Sequence, residues 1–164
     1  PSFLPMLVLA ILAGTFIGFG AAAYTAVMVG VDPAFGPSRL LGGVVFSLGL
    51  ILVIVGGAEL FTGNALMVMA VMDRKITLQM LLRSWTIVYA GNLIGAAGLA
   101  VALHMAGLLD GPMGAVAAKI PQTKAALPPV EAFMRGALCN ALVCLAIWLS
   151  GGFSREAQHG FIQT

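Results

Sequence analysis

The sequence predicts an all-α integral membrane protein, a helical bundle whose second membrane-spanning helix is broken. Three observations carry this reading. Hydrophobic residues make up 60% of the 164 residues and charged residues 9%, whereas soluble domains are about half apolar and about a quarter charged. The apolar residues fall into four runs, each long enough to cross a hydrocarbon core of roughly 30 Å. The second run, residues 40–72, has Glu59 as its only charged residue. As one straight helix it would rise roughly 50 Å, so it must be steeply tilted or interrupted. The chain reads as a single transmembrane domain over residues 1–164, expected to be incomplete.

The first span is expected over residues 3–29. Its long uncharged start has no basic leading region, which argues against a signal peptide. The start at Pro1 rather than Met predicts that a preceding cytoplasmic segment is missing. Gly14-Thr15-Phe16-Ile17-Gly18, then Gly20 and three alanines, form a stripe of small residues that lets a neighbouring helix approach closely.

A turn-rich connector, Asp32-Pro33-Ala34-Phe35-Gly36-Pro37, leads to Arg39 and the over-long second run. Its break is expected near residues 60–64, within Gly56-Gly57-Ala58-Glu59-Leu60-Phe61-Thr62-Gly63-Asn64. Glycines relax the backbone there, and Thr and Asn side chains bond freed peptide groups. A broken helix at membrane depth is tolerated only where it packs in protein or lines a wet cavity, so the break points to a permeation path. Asp73-Arg74-Lys75 ends the run, and residues 76–82 suit a short interfacial helix.

The third span is expected over residues 84–109. Trp85 and Tyr89 lie near its start, as in an aromatic belt, and Gly91-Asn92-Leu93-Ile94-Gly95 supplies a second close-packing face. His104 reads as an interfacial residue. Residues 107–130, with Pro112, Pro121, Pro128 and Pro129, read as a mixed connector. The fourth span is expected over residues 134–153, followed by a polar tail. The basic residues divide evenly between the two sides, so charge does not set the orientation: Arg74, Lys75, Arg83 and Arg155 lie on one side, and Arg39, Lys119, Lys124 and Arg135 on the other.

Cys139 and Cys144 are the only cysteines. On one helix they would be about 7.5 Å apart along the axis, beyond disulfide reach, and read as packing residues. No nucleophile–histidine–carboxylate pattern, phosphate loop or metal spacing is present, so neither an enzyme nor a cofactor or metal is expected. The small net charge of +2 gives no reason to expect nucleic acid.

Glu59 is ionisable within an apolar run, which makes it a functional candidate by default. Its place just before the break suits loop support better than contact with an anion it would repel. Thr62, Gly63 and Asn64 would open the second half-helix, where orphan N–H donors and the positive end of the helix dipole meet a hydroxyl. That describes a weak, uncharged site for a small anion, one that a fixed cation would hold too tightly to release. Asn140 offers an amide inside the fourth span. Lys124 lies where it would draw anions to a pore mouth, although a solvated loop lysine is the plainer reading. Phe46, Leu50 and Phe61 are bulky enough to narrow a pore, with ordinary packing the plainer reading of each.

Two blocks carry a resemblance. Gly57-Ala58-Glu59-Leu60-Phe61-Thr62-Gly63-Asn64 and Arg135-Gly136-Ala137-Leu138-Cys139-Asn140-Ala141-Leu142-Val143-Cys144-Leu145-Ala146-Ile147-Trp148 resemble the formate/nitrite transporter family, in type and in order. Lys124, at its spacing before Asn140, matches a characteristic lysine. The resemblance implies an aquaporin-like protomer of six spans in two inverted halves, assembled as a homopentamer with a pore in each protomer. It implies transport of small monovalent anions such as formate, nitrite or hydrosulfide, passive or proton-coupled, across a bacterial or archaeal cytoplasmic membrane. Thr62 would belong to the central loop, with Leu60, Phe61, Phe46 and Leu50 at the constriction and Lys124 and Asn140 at the entrance and wall. The chain departs from the family by stopping after its fourth span, without the second broken helix and its histidine. His159 and His104 match no motif that would replace that histidine. A water or neutral-solute channel, and a truncated fragment without transport of its own, remain alternative readings.

Overall fold

Pro5 and Pro37 sit in the first turns of two helices, where a missing N–H costs no hydrogen bond, and long apolar sequence then runs on without an interior break. The resulting helices are α1 (Phe3–Val27) and α2 (Gly36–Val55). The chain continues through α3 (Met67–Met72), α4 (Leu78–Met105), α5 (Pro112–Ala125) and α6 (Pro129–Ile162). The structure, a computed structural model, describes residues 2–162, with side chains over residues 2–151. Among the described residues there is no strand, and four helices are long and apolar enough to cross a membrane.

The centre of the packing is α1, which lies against α4 on one side and α2 on the other. Small residues make both seams. Gly91 faces Ala10, Gly95 faces the backbone of Ile11 and Thr15, and Gly14 faces the backbone of Asn92. The α4 glycines repeat at the four-residue spacing that puts one bare face along a helix. On the other side Gly20 meets Gly49 and the carbonyl of Phe46. The buried residues accordingly concentrate on α1 and α4, with Met6, Ala10 and Val88 forming one cluster. By contrast, the membrane-length part of α6 buries none of its residues in this chain and touches chiefly the 3-10 turn at Gly63–Leu66.

Several expected boundaries move. Pro37 starts a helix rather than delaying one, so α2 begins at Gly36, ahead of the expected residue 40. The interfacial helix expected over residues 76–82 merges into the third span. Thr77 caps α4 by accepting the N–H of Met80 at 3.3 Å, and Arg83 and Ser84 do not interrupt it. The connector expected over residues 107–130 contains α5, because Pro112 falls in that helix's first turn and Pro121 is accommodated in its interior. In the same way α6 starts at Pro129 rather than residue 134, and its backbone runs on to Ile162 through the segment read as a polar tail. The side chain of His159 lies outside the described residues.

Candidate functional site

The break in the second run starts at Gly56, earlier than residues 60–64. The N–H of Gly57 donates to the carbonyl of Ile54 at 3.2 Å, and that of Ala58 to the carbonyl of Val53 at 2.9 Å. This is the paired bonding of a Schellman cap. It requires a left-handed residue after the last helical turn, and Gly57 supplies it with φ of +61°. The chain is irregular over residues 58–62, forms the 3-10 turn Gly63–Leu66 and resumes as α3.

The break is held by contacts from α1, α4 and α6 and by a bond within the loop itself. On α1, the carbonyl of Leu9 accepts the N–H of Glu59 at 3.2 Å. On α4, Asn92 makes three bonds: its Oδ1 accepts the N–H of Phe61 at 2.9 Å, and its Nδ2 donates to the carbonyls of Glu59 at 2.9 Å and Ala10 at 2.8 Å. Also on α4, the indole N–H of Trp85 donates to the carbonyl of Asn64 at 3.0 Å. Within the loop, Nδ2 of Asn64 donates to the Glu59 carboxylate at 3.1 Å. From α6, the Cys144 thiol donates weakly to the carbonyl of Thr62 at 3.5 Å. A Cβ on Gly63 would come within 2.7 Å of the Ile147 side chain.

The backbone donors of the loop divide into two groups. Gly57, Ala58, Glu59, Phe61, Asn64 and Ala65 donate to acceptors in the protein. The N–H groups of Leu60, Thr62 and Gly63 find none among the described residues. Two of these free donors are adjacent in sequence, and one of that pair, Thr62, also carries a hydroxyl. Unmade N–H bonds inside a membrane protein each cost several kcal/mol unless water or a ligand meets them.

The expected site residues fall into three places. Glu59, Thr62, Gly63 and Asn64 come together in the loop. The Glu59 carboxylate accepts from the Asn64 amide across the break. Asn140 lies one turn before Cys144 on the α6 face that meets the loop, and its Oδ1 is buried without a hydrogen-bond partner among the described residues. Lys124 lies elsewhere, in a groove of about 600 Å³ that it lines with Arg39, Lys119 and Arg135, all four side chains exposed. Arg135 is paired with Glu131 on the same helix.

The four expected constriction residues are also separated. Phe46 and Leu50 lie on α2, where Leu50 is half-buried and Phe46 exposed. Leu60 is half-buried in the loop. The ring of Phe61 packs edge-on against Tyr89 and Trp85, with centroids 5.5 and 6.0 Å away, and touches the Met6, Ala10, Val88 cluster.

Sequence reasoning missed Asn92, Trp85 and Cys144 as partners of the loop. For Asn92 the sequence holds a signal: an amide flanked by Gly91 and Gly95 at the middle of a membrane-length helix must direct its hydrogen bonds at something. For Trp85 the position near a span end pointed to the membrane interface instead.

The description "Formate/nitrite transporter" belongs to the family model that matches residues 2–162. The formate channel FocA of Haemophilus influenzae is 36% identical over 154 residues, which cover 92% of this chain and 54% of that protein. FocA of Escherichia coli K12 is 38% identical over 146 residues, 87% of this chain and 51% of its own length. A solved pentameric formate channel with formate bound is similar in structure, with a TM-score of 0.75 and 38% identity over 89% of this chain and 59% of the other. The chain thus spans about half the length of the curated relatives it matches.

Proposed function

Since the chain belongs to the formate/nitrite transporter family, we propose that it contributes a broken-helix anion site to a membrane channel for formate and related small monovalent anions such as nitrite. The observation that carries this is the pair of adjacent N–H groups at Thr62 and Gly63, without acceptors among the described residues, in a loop clamped to the middle of the span α4. Aligned N–H donors at the start of a helical turn favour negative charge. With no fixed cation at the loop among the described residues, attraction stays weak enough for release, as conduction requires.

The other residues take supporting roles in this reading. Lys124 and its basic neighbours raise the local concentration of anions at one mouth, since charged clefts focus the field on small ions. Asn140 offers its amide to the path from α6. Phe46 and Leu50 on α2 and Leu60 in the loop line separate apolar stretches of the path, while Phe61 anchors the loop on Trp85 and Tyr89. Apolar walls raise the energy of a bare anion, so passage with a proton, as the neutral acid, is easier than passage of the charge alone. Glu59 supports the loop through Asn64. The large apolar side chains exposed on α1, α2, α4 and α6 suit lipid and neighbouring copies, in a homopentamer like that of the similar formate channel. The setting proposed for the assembly is the cytoplasmic membrane of a bacterium or archaeon.

Uptake by proteoliposomes holding the assembled protein tests the proposal. Formate and nitrite are expected to enter faster than chloride and faster than into empty liposomes. Rates equal to empty liposomes overturn a transport role, and faster entry of water or glycerol than of formate makes it a neutral-solute channel.

A further inference from the structure

We infer that Asn92 is the positioning residue of the anion site: it sets the register of the Glu59–Phe61 peptides and thereby the aim of the free donors that follow at Thr62 and Gly63. The inference rests on the reading of that loop as the anion site. Asn92 lies in the middle of α4 (Leu78–Met105). Both donors of its amide are engaged, on the carbonyls of Ala10 and Glu59 at 2.8 and 2.9 Å, and its oxygen accepts the N–H of Phe61 at 2.9 Å.

The amide therefore grips the loop on both sides of Leu60, through one carbonyl and one N–H. A carbonyl and an N–H two residues apart, bonded to one planar group, cannot both keep their bonds if the loop slides by a residue or turns about its own axis. The third bond, to Ala10, fixes the amide plane against α1. That helix also contributes the Leu9 carbonyl that accepts the N–H of Glu59 at 3.2 Å. The next residues, Thr62 and Gly63, follow directly from the clamped peptide, so their direction is inherited from it.

An asparagine in a membrane helix can also serve as simple glue between helices. The glue reading and the positioning reading differ in what fails when the amide is changed. Asn92→Asp keeps the shape and an acceptor for Phe61 but loses both donors, and sets a carboxylate facing two carbonyl oxygens. Asn92→Ala removes all three bonds.

Amide hydrogen exchange on the assembled protein, with transport measured alongside, separates the two readings. In the parent, Phe61 is expected to exchange at least about tenfold more slowly than Thr62 and Gly63, the factor that one hydrogen bond supplies. In Asn92→Asp and Asn92→Ala, exchange over residues 58–63 is expected to rise about tenfold or more, while α1 and α4 around Gly95 stay protected. The formate-to-chloride uptake ratio is expected to fall severalfold. A parent in which Phe61 exchanges as fast as Thr62 overturns the inference even if neither variant assembles. So does a variant whose exchange rises equally over α1, α2 and α4, which is the mark of glue. If the loop loosens selectively but the parent moves no anion, the clamp stands and the transport reading fails, so the two failures are distinguishable.

Discussion

Trp85 and Asn64 are joined by a hydrogen bond of 3.0 Å, from the indole N–H to the backbone carbonyl. The bond ties the span α4 to the 3-10 turn that follows the break. Asn64 in turn gives its side-chain amide to Glu59, so one residue links the far side of the break to its near side and to the neighbouring helix.

Replacing Trp85 by Phe keeps most of the apolar contact with Phe61, whose ring lies 6.0 Å away edge-on, and removes the donor. A neutral hydrogen bond contributes about 0.5–1.5 kcal/mol, and a carbonyl left buried without a partner adds to the loss. Stability to unfolding in detergent is expected to fall by an amount in this range. An unchanged unfolding midpoint would mean that water replaces the indole without loss.

The turn at Gly57 gives a separate prediction. With φ of +61°, a side chain there incurs the left-handed penalty of about 1–2 kcal/mol. Gly57→Ala is expected to destabilise by about 1 kcal/mol or more, although the space beside it is open, with no other atom of the described residues within 4 Å of where a Cβ would stand. Equal stability of parent and variant would show that the loop, rather than the cap, decides where α2 stops.

At Gly95 the obstacle is space rather than backbone conformation. A Cβ there meets the backbone of Ile11 and Thr15, and backbone yields less readily than side chains. Overpacking a well-filled seam costs roughly 1–3 kcal/mol, and Gly95→Leu adds a whole side chain between two helices. The variant is expected to lose the assembled species on size-exclusion chromatography. Recovery of the parent's oligomer at the parent's yield would show that α1 and α4 can separate there without loss.

These glycines show what was legible in the sequence. Span number followed from apolar length, because the bilayer sets that length. The seams followed from small residues at four-residue spacing, because only they permit backbone contact. The break followed from a run too long for one crossing, but its starting point did not. Gly56-Gly57 and Thr62-Gly63-Asn64 are both permissive locally, and the segment between them is held by Asn92 and Leu9, both remote in sequence from the loop. Prolines misled in the connector and at residue 129, since the same residue that ends a helix also starts one. The bonds from Trp85 and Cys144 were not legible because they depend on how α4 and α6 are placed against a segment of irregular backbone.

Lys124 carries a prediction that depends on salt. Its groove brings it beside Arg39, Lys119 and Arg135, and exposed charges act over roughly 8 Å at physiological ionic strength and farther at low salt. Lys124→Gln is expected to slow formate uptake clearly at about 10 mM salt and much less at about 1 M, where the Debye length shrinks to roughly 3 Å. A loss of equal size at both salt concentrations would point to direct contact with the anion rather than to steering.

Thr62 decides the functional reading. Its N–H and that of Gly63 have no acceptor among the described residues, its carbonyl is occupied by the Cys144 thiol, and its hydroxyl adds a side-chain donor beside the free pair. An anion pausing there exchanges water for these donors, and a hydrogen bond to a charged group is worth roughly 1.5–3 kcal/mol. Thr62→Val keeps the branched shape and removes the hydroxyl. Formate uptake, or the preference for formate over chloride, is expected to change by roughly tenfold or more, while the oligomer and the unfolding midpoint stay as in the parent. The backbone donors remain in the variant, so a residual flux is expected rather than none. If Thr62→Val moves formate and nitrite at the parent's rates and selectivity, the hydroxyl has no part in the anion's path.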